Sequence, residues 1–264
     1  MDDSRNIKLL VAYDGSDFCG WQRQDSNNGN PVSGVSGRAR TVQGLIEDAL
    51  RIMHRQPVSL AGAGRTDSGV HAAGQVASFH TGMTSVPAGR FAPALNSLLP
   101  PDVRILASGE AAPGFHARFD AFMRTYRYHF IPGRLMLPYE SRYNLHLNRY
   151  PKLETLNAYC RLIFGERDFT VFAGSGDTSM SFYRYISKAV FFFDRDRLIF
   201  EISANAFLRK MVRSIAGTFL HYEEINTPPE KLKEIIEGKD RSLAGPTLAP
   251  QGLFLWKVEY SGIP

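Results

Sequence analysis

The stretch Gly64-Arg65-Thr66-Asp67-Ser68-Gly69-Val70-His71-Ala72 decides how this chain is interpreted. It places one carboxylate, Asp67, between an arginine and a glycine, in a run without helical or strand periodicity. Because Asp and Gly favour turns, we predict a loop here. The apolar residues 58–63 before it and the half-alternating residues 75–80 after it are predicted strands. Asp67 is therefore expected on a tight connection at a strand end, where a rigid scaffold presents one reactive group.

The neighbours of Asp67 indicate what that carboxylate can do. Arg65 is always charged, so it can keep Asp67 ionised or bind a phosphate. Gly64 and Gly69 let the backbone bend and let a substrate approach closely. An ionised carboxylate on a loop can act as a covalent nucleophile or as a general base. The alternative is an Asp that caps a turn, with Arg65 in a surface ion pair, and the letters Arg-Thr-Asp-Ser-Gly alone favour that alternative.

The longer string Gly-Arg-Thr-Asp-x-Gly-Val-His-Ala closely resembles the catalytic loop of the TruA family of tRNA pseudouridine synthases. Other motifs of that family follow in the family's order along nearly the whole chain. They are Tyr-Asp-Gly-Ser at 13–16, Gly-Trp-Gln-Arg-Gln at 20–24, Thr-Val-Gln-Gly at 41–44, Phe-His-Ala-Arg-Phe at 115–119, Arg-Thr-Tyr-Arg-Tyr at 124–128, Ala-Asn-Ala-Phe-Leu-Arg-Lys-Met-Val-Arg at 204–213 and Gly-Leu-Phe-Leu at 252–255.

The resemblance implies an RNA-modifying isomerase with transfer RNA as its partner. The family isomerises uridine to pseudouridine in the anticodon stem-loop, at positions 38–40 of tRNA, and acts as a cytoplasmic homodimer. The reaction breaks the C1′–N1 bond and forms a C1′–C5 bond without redox chemistry, so no cofactor and no metal is expected. The sequence agrees, since it has no Cys-x-x-Cys, no His-x-x-x-His and no Walker-type loop.

The resemblance also assigns the central residues of the site. Asp67 is the nucleophilic carboxylate, and whether it attacks the sugar or removes a proton from it stays open. Tyr126 matches the active-site tyrosine, whose ring can stack on a flipped base and whose phenol oxygen would lie near the place where a proton must leave. The alternative for Tyr126 is an ordinary core aromatic, and Tyr128 would share its strand face. Arg213 matches the arginine that pairs with the catalytic aspartate and keeps it charged.

Further roles carry over from the same motifs. Arg65 is expected to enter the RNA and fill the space left by the flipped base, and Leu253 to supply an apolar wall. His71 and His116 are expected to be structural hydrogen bonders, with direct contact to RNA as the alternative. Trp21 and Gln22 are expected to shape the site. The residues that could contact RNA phosphates are Arg118, Arg124, Arg209 and Lys210, with Arg127, Arg142 and Arg184 as further cations.

Composition sets compatible bounds. The 264 residues are enough for one large or two modest domains, and 44% hydrophobic with 22% charged residues is typical of a globular protein. The net charge of +5 suits a phosphate-rich partner, although many proteins without RNA share it. The two cysteines, Cys19 and Cys160, are expected to be free thiols in a reducing cytosol. Neither a leader peptide nor a membrane span is expected.

The pattern of elements predicts the fold class. In the N-terminal half we expect strands at 7–13 and 103–107, a mobile loop at 25–38, and helices at 41–55 and 91–99. In the C-terminal half we expect strands at 124–131, 186–193, 198–204 and 253–260, with helices at 153–164, 207–220 and 231–237. Element order and the resemblance together predict an α+β protein. Its two ferredoxin-like or RRM-like halves share an extended mixed, mainly antiparallel sheet, with helices on one face and a catalytic cleft between the halves.

The expected domains are an N-terminal one, 1–110, with the Asp67 loop, and a C-terminal one, 111–264, with the Tyr and Arg motifs. Two other functions compete with the isomerase. A non-catalytic RNA-binding or RNA-folding protein on the same scaffold is the first, but loss of the nucleophile would be its sign and Asp67 is present. A glycoside hydrolase is the second, and it needs two facing carboxylates. Asp120 and Glu110 are available, but nothing in their sequence setting indicates a pair.

Overall fold

The computed structural model describes residues 4–23 and 39–261. Within these ranges it holds ten β-strands, five α-helices and three short 3-10 helices. The chain divides into two compact units: unit 1 comprises Met1–Phe122 and Leu255–Pro264, and unit 2 comprises Met123–Phe254. The predicted α+β class with mainly antiparallel strands is confirmed. The loop expected at 25–38 lies outside the described residues.

Unit 1 is built on strands in the order β4-β1-β3-β10, with β2 beside β3. Strand β1 pairs antiparallel with both β3 and β4. Ile7, Leu9 and Val11 alternate along β1 and are completely buried, as expected for a strand with one face in a core. The elements are β1 (Arg5–Tyr13), α1 (Val42–His54), β2 (Ala61–Gly62), β3 (His71–Thr81), α2 (Phe91–Asn96), β4 (Val103–Ala111) and β10 (Leu253–Tyr260).

Helix α1 forms where the sequence predicts it. The Thr41 hydroxyl accepts a hydrogen bond from the Gly44 N–H and so caps the first turn. One face of α1 is buried and carries Val42, Ile46, Ala49 and Leu50. The helix ends where Arg55 adopts a left-handed backbone conformation with φ 57°. Capping and an apolar stripe at three- and four-residue spacing therefore account for this helix.

Unit 2 contains strands in the order β5-β9-β8-β7, with a parallel β6 beside β5. The other three strand pairs of this series are antiparallel. Strand β5 begins two residues before the unit boundary, and β10 begins two residues before the chain returns to unit 1. The elements are β5 (Ala121–Pro132), β6 (Leu145–Leu147), α3 (Leu153–Arg161), β7 (Gly165–Asp168), β8 (Tyr183–Asp194), β9 (Arg197–Ala204), α4 (Met211–Glu224) and α5 (Pro229–Glu237).

Aromatic rings fill the core of unit 2. The strands predicted at 186–193 and 198–204 are confirmed as β8 and β9, and they form a hairpin with Asp194 opposite Arg197. It places Phe191 and Phe200 in stacked contact with ring centroids 4.4 Å apart. Phe219 of α4 packs against Phe200 and against Tyr159 of α3, and all four rings are at most 1% exposed. Burying one such side chain contributes ~1.5–3 kcal/mol, so this cluster ties α3 and α4 to the hairpin.

Several predicted elements differ in extent from those observed, and two of them adjoin the candidate site residues. The helix expected at 207–220 begins only at Met211, because Lys210 before it has φ 60°. The backbone of Arg209 is held instead by a loop, since its N–H donates to the Asp177 carboxylate and its carbonyl accepts from the Gly174 N–H. The strand expected at 58–63 is reduced to the two residues of β2.

Both cysteines are free thiols. Cys160 is 1% exposed, and burial raises the pKa of its thiol above the ordinary value. Cys19 is partly exposed. Across residues 4–23 and 39–261, no helix has the length and apolar character that a bilayer crossing needs.

Candidate active-site residues

The segment 63–70 between β2 and β3 is a loop, as predicted, and its backbone is fixed by residues 18–21. The Trp21 N–H donates to the Thr66 carbonyl at 3.2 Å, and the Gly69 N–H donates to the Phe18 carbonyl at 3.3 Å. The Ser68 hydroxyl donates to the same Phe18 oxygen at 3.0 Å. Within the loop, the Val70 N–H closes a turn on the Asp67 carbonyl at 3.2 Å. The Asp67 loop is therefore held in one conformation by its neighbours.

Two glycines let the backbone of residues 15–20 lie directly against this loop. A Cβ on Gly15 would stand 2.0 Å from the Val70 carbonyl oxygen, and one on Gly20 would stand 2.6 Å from that of Thr66. Gly20 also has φ 98°, a conformation that other residues rarely adopt. Below the loop, the buried hydroxyls of Thr66 and Tyr13 lie 2.7 Å apart in a hydrogen bond. The close approach explains why the sequence has glycine at both positions.

Asp67 and Arg65 reach different environments from this rigid loop. Asp67 is half-buried and Arg65 is exposed. The carbonyl of Gly64, one residue before Arg65, accepts a hydrogen bond at 2.8 Å from the buried amide of Gln75 in β3. A half-buried carboxylate on a fixed loop can meet a reacting atom without reorganisation of the protein, and an adjacent exposed guanidinium suits a phosphate or a base.

His71 is structural, as expected from the sequence. It is completely buried. The Gly15 N–H donates to its Nδ1 at 3.0 Å. The Asp14 carboxylate lies 3.2 Å from the same Nδ1 and caps the turn at Ser16 through that residue's N–H and hydroxyl. His71 therefore anchors the turn 14–16 below the Asp67 loop.

His116, Trp21 and Gln22 also have structural contacts. The Nδ1 atom of His116 accepts from the Arg118 N–H at 3.1 Å, and its ring stacks on Phe119 at 4.3 Å. Trp21 is 2% exposed and lies against Gly62, where a Cβ would be 2.5 Å from its indole ring. The exposed Gln22 donates to the side chain of Gln43. The contacts of Trp21 agree with its expected role in shaping the loop's surroundings.

Tyr126 lies on β5 in unit 2 and is 8% exposed. Phe207 packs its ring edge-to-face against it, with centroids 5.1 Å apart and planes at 86°. This contact fixes the plane of the Tyr126 ring. The sequence alone indicates no role for Phe207, although it lies inside the 204–213 motif. Because it lies outside the helix, between β9 and Met211, it can reach β5.

Tyr128 is distinguished from Tyr126 by its surroundings. It is completely buried, it packs on Phe130 at 4.6 Å, and its hydroxyl donates to the Ala249 carbonyl. Burial raises the pKa of the Tyr128 phenol, partly opposed by the charge of Arg213. Tyr128 is therefore a core residue near Arg213, and of the two tyrosines Tyr126 has the surroundings that suit contact with a base.

Arg213 projects from the first turn of α4 and is half-buried. Its Nε–H donates to the Leu248 carbonyl at 2.6 Å, and the Leu248 N–H donates back to the Arg213 carbonyl at 3.4 Å. The guanidinium plane is set by the Nε contact. Leu253, the proposed apolar wall, is 4% exposed at the start of β10.

The other cations differ in their surroundings. Arg209 is exposed and Lys210 is half-buried, and both stand directly before α4. Arg124 donates to the Asn205 carbonyl at 2.7 Å, so it braces the 204–213 motif. Arg118 is exposed and lies over the Phe119 ring. Arg127 is engaged with Glu201 at 2.5 Å, and Arg184 donates to the Ser181 and Tyr183 carbonyls.

Two alternatives can be weighed against this geometry. Among residues 4–23 and 39–261, no cluster of three or more His, Cys, Asp or Glu side chains could hold a metal ion. The carboxylates considered for glycoside hydrolysis have other partners: Glu110 is in an ion pair with Arg5 at 2.8 Å, and Asp120 accepts from the His116 N–H at 2.8 Å. Neither faces a second carboxylate in these contacts.

The fold and the site together define a class: α+β proteins that present a carboxylate on a rigid loop. A family model described as tRNA pseudouridine synthase matches residues 9–120 and 159–261. The chain is 49% identical to tRNA pseudouridine synthase A of Treponema denticola, over 98% of this chain and 94% of that protein. It is 38% identical to tRNA pseudouridine synthase A of Caldicellulosiruptor saccharolyticus, over 97% of this chain and 100% of that protein. This chain belongs to the tRNA pseudouridine synthase family, whose members are isomerases that convert uridine to pseudouridine.

Proposed function

We propose that this enzyme modifies uridines 38–40 in the anticodon stem-loop of tRNA, with Asp67 as the carboxylate that reacts. The observation that carries the proposal is the Asp67 loop. Its backbone is held by Phe18 and Trp21, and the side chain of Thr66 within it by Tyr13. The loop presents a half-buried carboxylate two residues from an exposed arginine. Such a loop can bring a carboxylate to a ribose while the arginine occupies the space that the flipped nucleotide leaves.

The reaction needs one carboxylate and one proton acceptor. In the attack mechanism an Asp67 oxygen bonds to C1′ as the C1′–N1 bond breaks, and the electron pair goes to the uracil ring. The ring turns, C5 bonds to C1′, and the carboxylate leaves. The proton on C5 then passes to a base, and N1 gains a proton, so atoms and charge balance without a cofactor.

A second mechanism uses the same carboxylate as a base. Asp67 would take the proton from C2′ as N1 leaves, and would return it after C5 has bonded. The two mechanisms differ in whether the C2′–H bond breaks. Deuterium at C2′ of the target uridine slows single-turnover conversion if Asp67 acts as a base, and leaves the rate nearly unchanged if Asp67 attacks C1′.

The remaining site residues are proposed from their surroundings and from the family motifs. Tyr126 contacts the flipped base, a role favoured by the edge-to-face support from Phe207. Arg213 supplies the positive charge that keeps the reacting carboxylate ionised. Leu253 supplies an apolar wall. Arg118, Arg124, Arg209 and Lys210 bind phosphates of the tRNA.

We further propose that the enzyme acts in the cytoplasm as a homodimer, as the TruA resemblance implies. The net charge of +5 supports binding to a phosphate-rich partner. Light scattering of the purified chain measures the dimer directly. A mass of one chain at the concentrations used for activity would contradict it, without affecting the assignment of Asp67.

The decisive experiment uses tRNA transcripts carrying tritium at C5 of uridine. Conversion releases the C5 tritium to water, so release from a transcript with uridines only at 38, 39 and 40 of the anticodon arm tests the position. A matched transcript with cytidine at those three positions is the control. We expect release from the first transcript, none from the second, and none from either with Asp67→Ala. Equal release from both transcripts would contradict the positions, and release by Asp67→Ala would contradict the nucleophile. Tight salt-sensitive binding without any release would favour the RNA-binding alternative.

A further inference from the structure

A segment after α5 lies directly on helix α4, and we call residues 245–249 the strap. A Cβ on Gly217 of α4 would stand 1.8 Å from the Pro246 carbonyl oxygen, so strap and helix are in backbone contact. The Gly245 N–H donates to the Thr218 hydroxyl at 2.9 Å, and the Thr247 hydroxyl lies 3.0 Å from that of Ser214. Thr218 and Ser214 are completely buried. The first half of the strap is therefore anchored to α4 itself.

The second half of the strap contacts Arg213. Leu248 and Arg213 exchange two hydrogen bonds, one from the Arg213 Nε–H to the Leu248 carbonyl and one from the Leu248 N–H to the Arg213 carbonyl. A guanidinium is planar, and its Nε–H bond fixes the direction of that plane. The position of the Leu248 carbonyl therefore decides where the other end of the guanidinium points.

The next carbonyl is held from a different element. The hydroxyl of Tyr128, on β5, donates to the Ala249 carbonyl. Tyr128 is completely buried against Phe130, so its ring has little freedom to move. Leu248 therefore lies between anchors on α4 on one side and an anchor on the sheet on the other.

We propose that Tyr128 is a positioning residue for Arg213, acting through the Ala249 and Leu248 carbonyls of the strap. The proposal rests on the proposed function of Arg213 as the active-site cation. Tyr128 itself touches no substrate in this scheme. Its role is to keep the acceptor of the Arg213 Nε–H in place, so that the guanidinium keeps one orientation through the reaction. Because burial raises the pKa of Tyr128, its hydroxyl remains a donor throughout the neutral pH range.

The test compares Tyr128→Phe with a matched control, Tyr159→Phe. Tyr159 is also completely buried in unit 2, and its hydroxyl donates to the Thr227 carbonyl, away from Arg213. Each variant loses one buried tyrosine–carbonyl hydrogen bond, so both should lower Tm by similar amounts. We expect Tyr128→Phe to lower the single-turnover rate by about tenfold with an unchanged KM, and Tyr159→Phe to leave the rate nearly unchanged. Equal rate losses in the two variants would overturn the proposal.

A second comparison separates positioning from general loosening of the fold. In an Arg213→Lys background there is no Nε–H for the Leu248 carbonyl to orient, so Tyr128→Phe should change the rate by less than about twofold. A full tenfold loss in that background would contradict the proposal. If Arg213→Lys itself kept wild-type turnover, the proposed role of Arg213 as the active-site cation would be wrong. This single variant therefore distinguishes failure of that role from failure of the positioning role of Tyr128.

A third measurement is independent of activity. The Arg213 Nε–H should exchange slowly with water in wild type, because it is half-buried and bonded to Leu248. By nitrogen-15 NMR, Tyr128→Phe should accelerate that exchange and Tyr159→Phe should not. An Arg213 Nε–H that exchanges equally fast in wild type and in Tyr128→Phe would show that the strap does not hold it.

Discussion

The Asp67 loop and the Arg213 segment are stabilised in opposite ways. In the loop, the proposed functional residues Arg65 and Asp67 lie two positions apart in sequence, and one short segment, residues 13–21, supplies most of the bracing. Arg213 instead stands on a regular helix, and its Nε–H is held by the Leu248 carbonyl. The neighbouring Ala249 carbonyl is held by Tyr128, and the Arg209 N–H before the helix by Asp177, so the bracing residues lie far apart in the chain. The loop can therefore be identified from one continuous sequence motif. The surroundings of the helix residue come from distant segments that share no motif.

The largest expected effect comes from the loop. Asp67→Asn keeps the size of the side chain but removes the charge, so single-turnover conversion should fall on the order of 10⁴-fold. Binding of the tRNA should stay unchanged, because phosphate contacts dominate it. Tritium release and a filter-binding isotherm measure the two quantities. Normal turnover in this variant would show that the loop does not supply the reacting carboxylate.

Substitutions of Tyr126 separate the contribution of its hydroxyl from that of its aromatic ring. Tyr126→Phe keeps the ring against Phe207 and removes the hydroxyl, so we expect a rate loss of about 10²-fold with little change in KM. Tyr126→Leu also removes stacking, which is worth ~1–3 kcal/mol per base, and should raise KM in addition. A fully active Tyr126→Phe would leave only a stacking role for this residue.

The two glycine contacts allow the same substitution in both regions. Gly15→Ala forces a Cβ against the Val70 carbonyl, and Gly217→Ala forces one against the Pro246 carbonyl. Each should destabilise the protein by about 1–3 kcal/mol in urea unfolding, even though alanine favours the helix at Gly217. The control is Gly82→Ala, since a Cβ there meets nothing within 4 Å. An unchanged free energy of unfolding in Gly217→Ala would indicate that the strap can shift to accommodate the added Cβ, whereas the Asp67 loop cannot.

The smallest effect lies outside both regions, at a partly exposed ion pair. The Arg134 guanidinium and the Leu137 N–H hold the pKa of Glu140 at about 2, below its ordinary 4.5. A carboxyl whose pKa is lowered in the folded state contributes stability that is present above pH 4.5 and is lost as the pH falls towards 2. Glu140→Gln should therefore reduce the fall of Tm over that pH window by a small amount, because the pair is solvated. Activity at neutral pH should not change.

Most helices and strands and the Asp67 loop could be predicted from the sequence, but the residues at which they begin and end and the contacts that stabilise them could not. Helix α1 was predictable because its cap and apolar stripe are local. The start of α4 was not, because Lys210 takes a left-handed conformation directly after Arg209, whose backbone is bonded to Asp177 and Gly174, more than thirty residues away. Strand β7 was missed because its four residues, Gly-Glu-Arg-Asp, show no apolar alternation and pair only through β8. The distinction between Tyr126 and Tyr128 likewise needed their burial, since both share one strand face.

The two thiols differ in accessibility, and this difference allows one of them to be labelled selectively with a fluorophore. The sequence contains only two cysteines, and Cys160 is 1% exposed with a raised pKa, so it stays protonated and shielded at neutral pH. A maleimide fluorophore should therefore enter the native enzyme at Cys19 alone, without any substitution. Cys19 precedes Gly20, which lies against the Thr66 carbonyl. The dye would sit beside the Asp67 loop and report, as a change in emission, the moment at which a nucleotide arrives there.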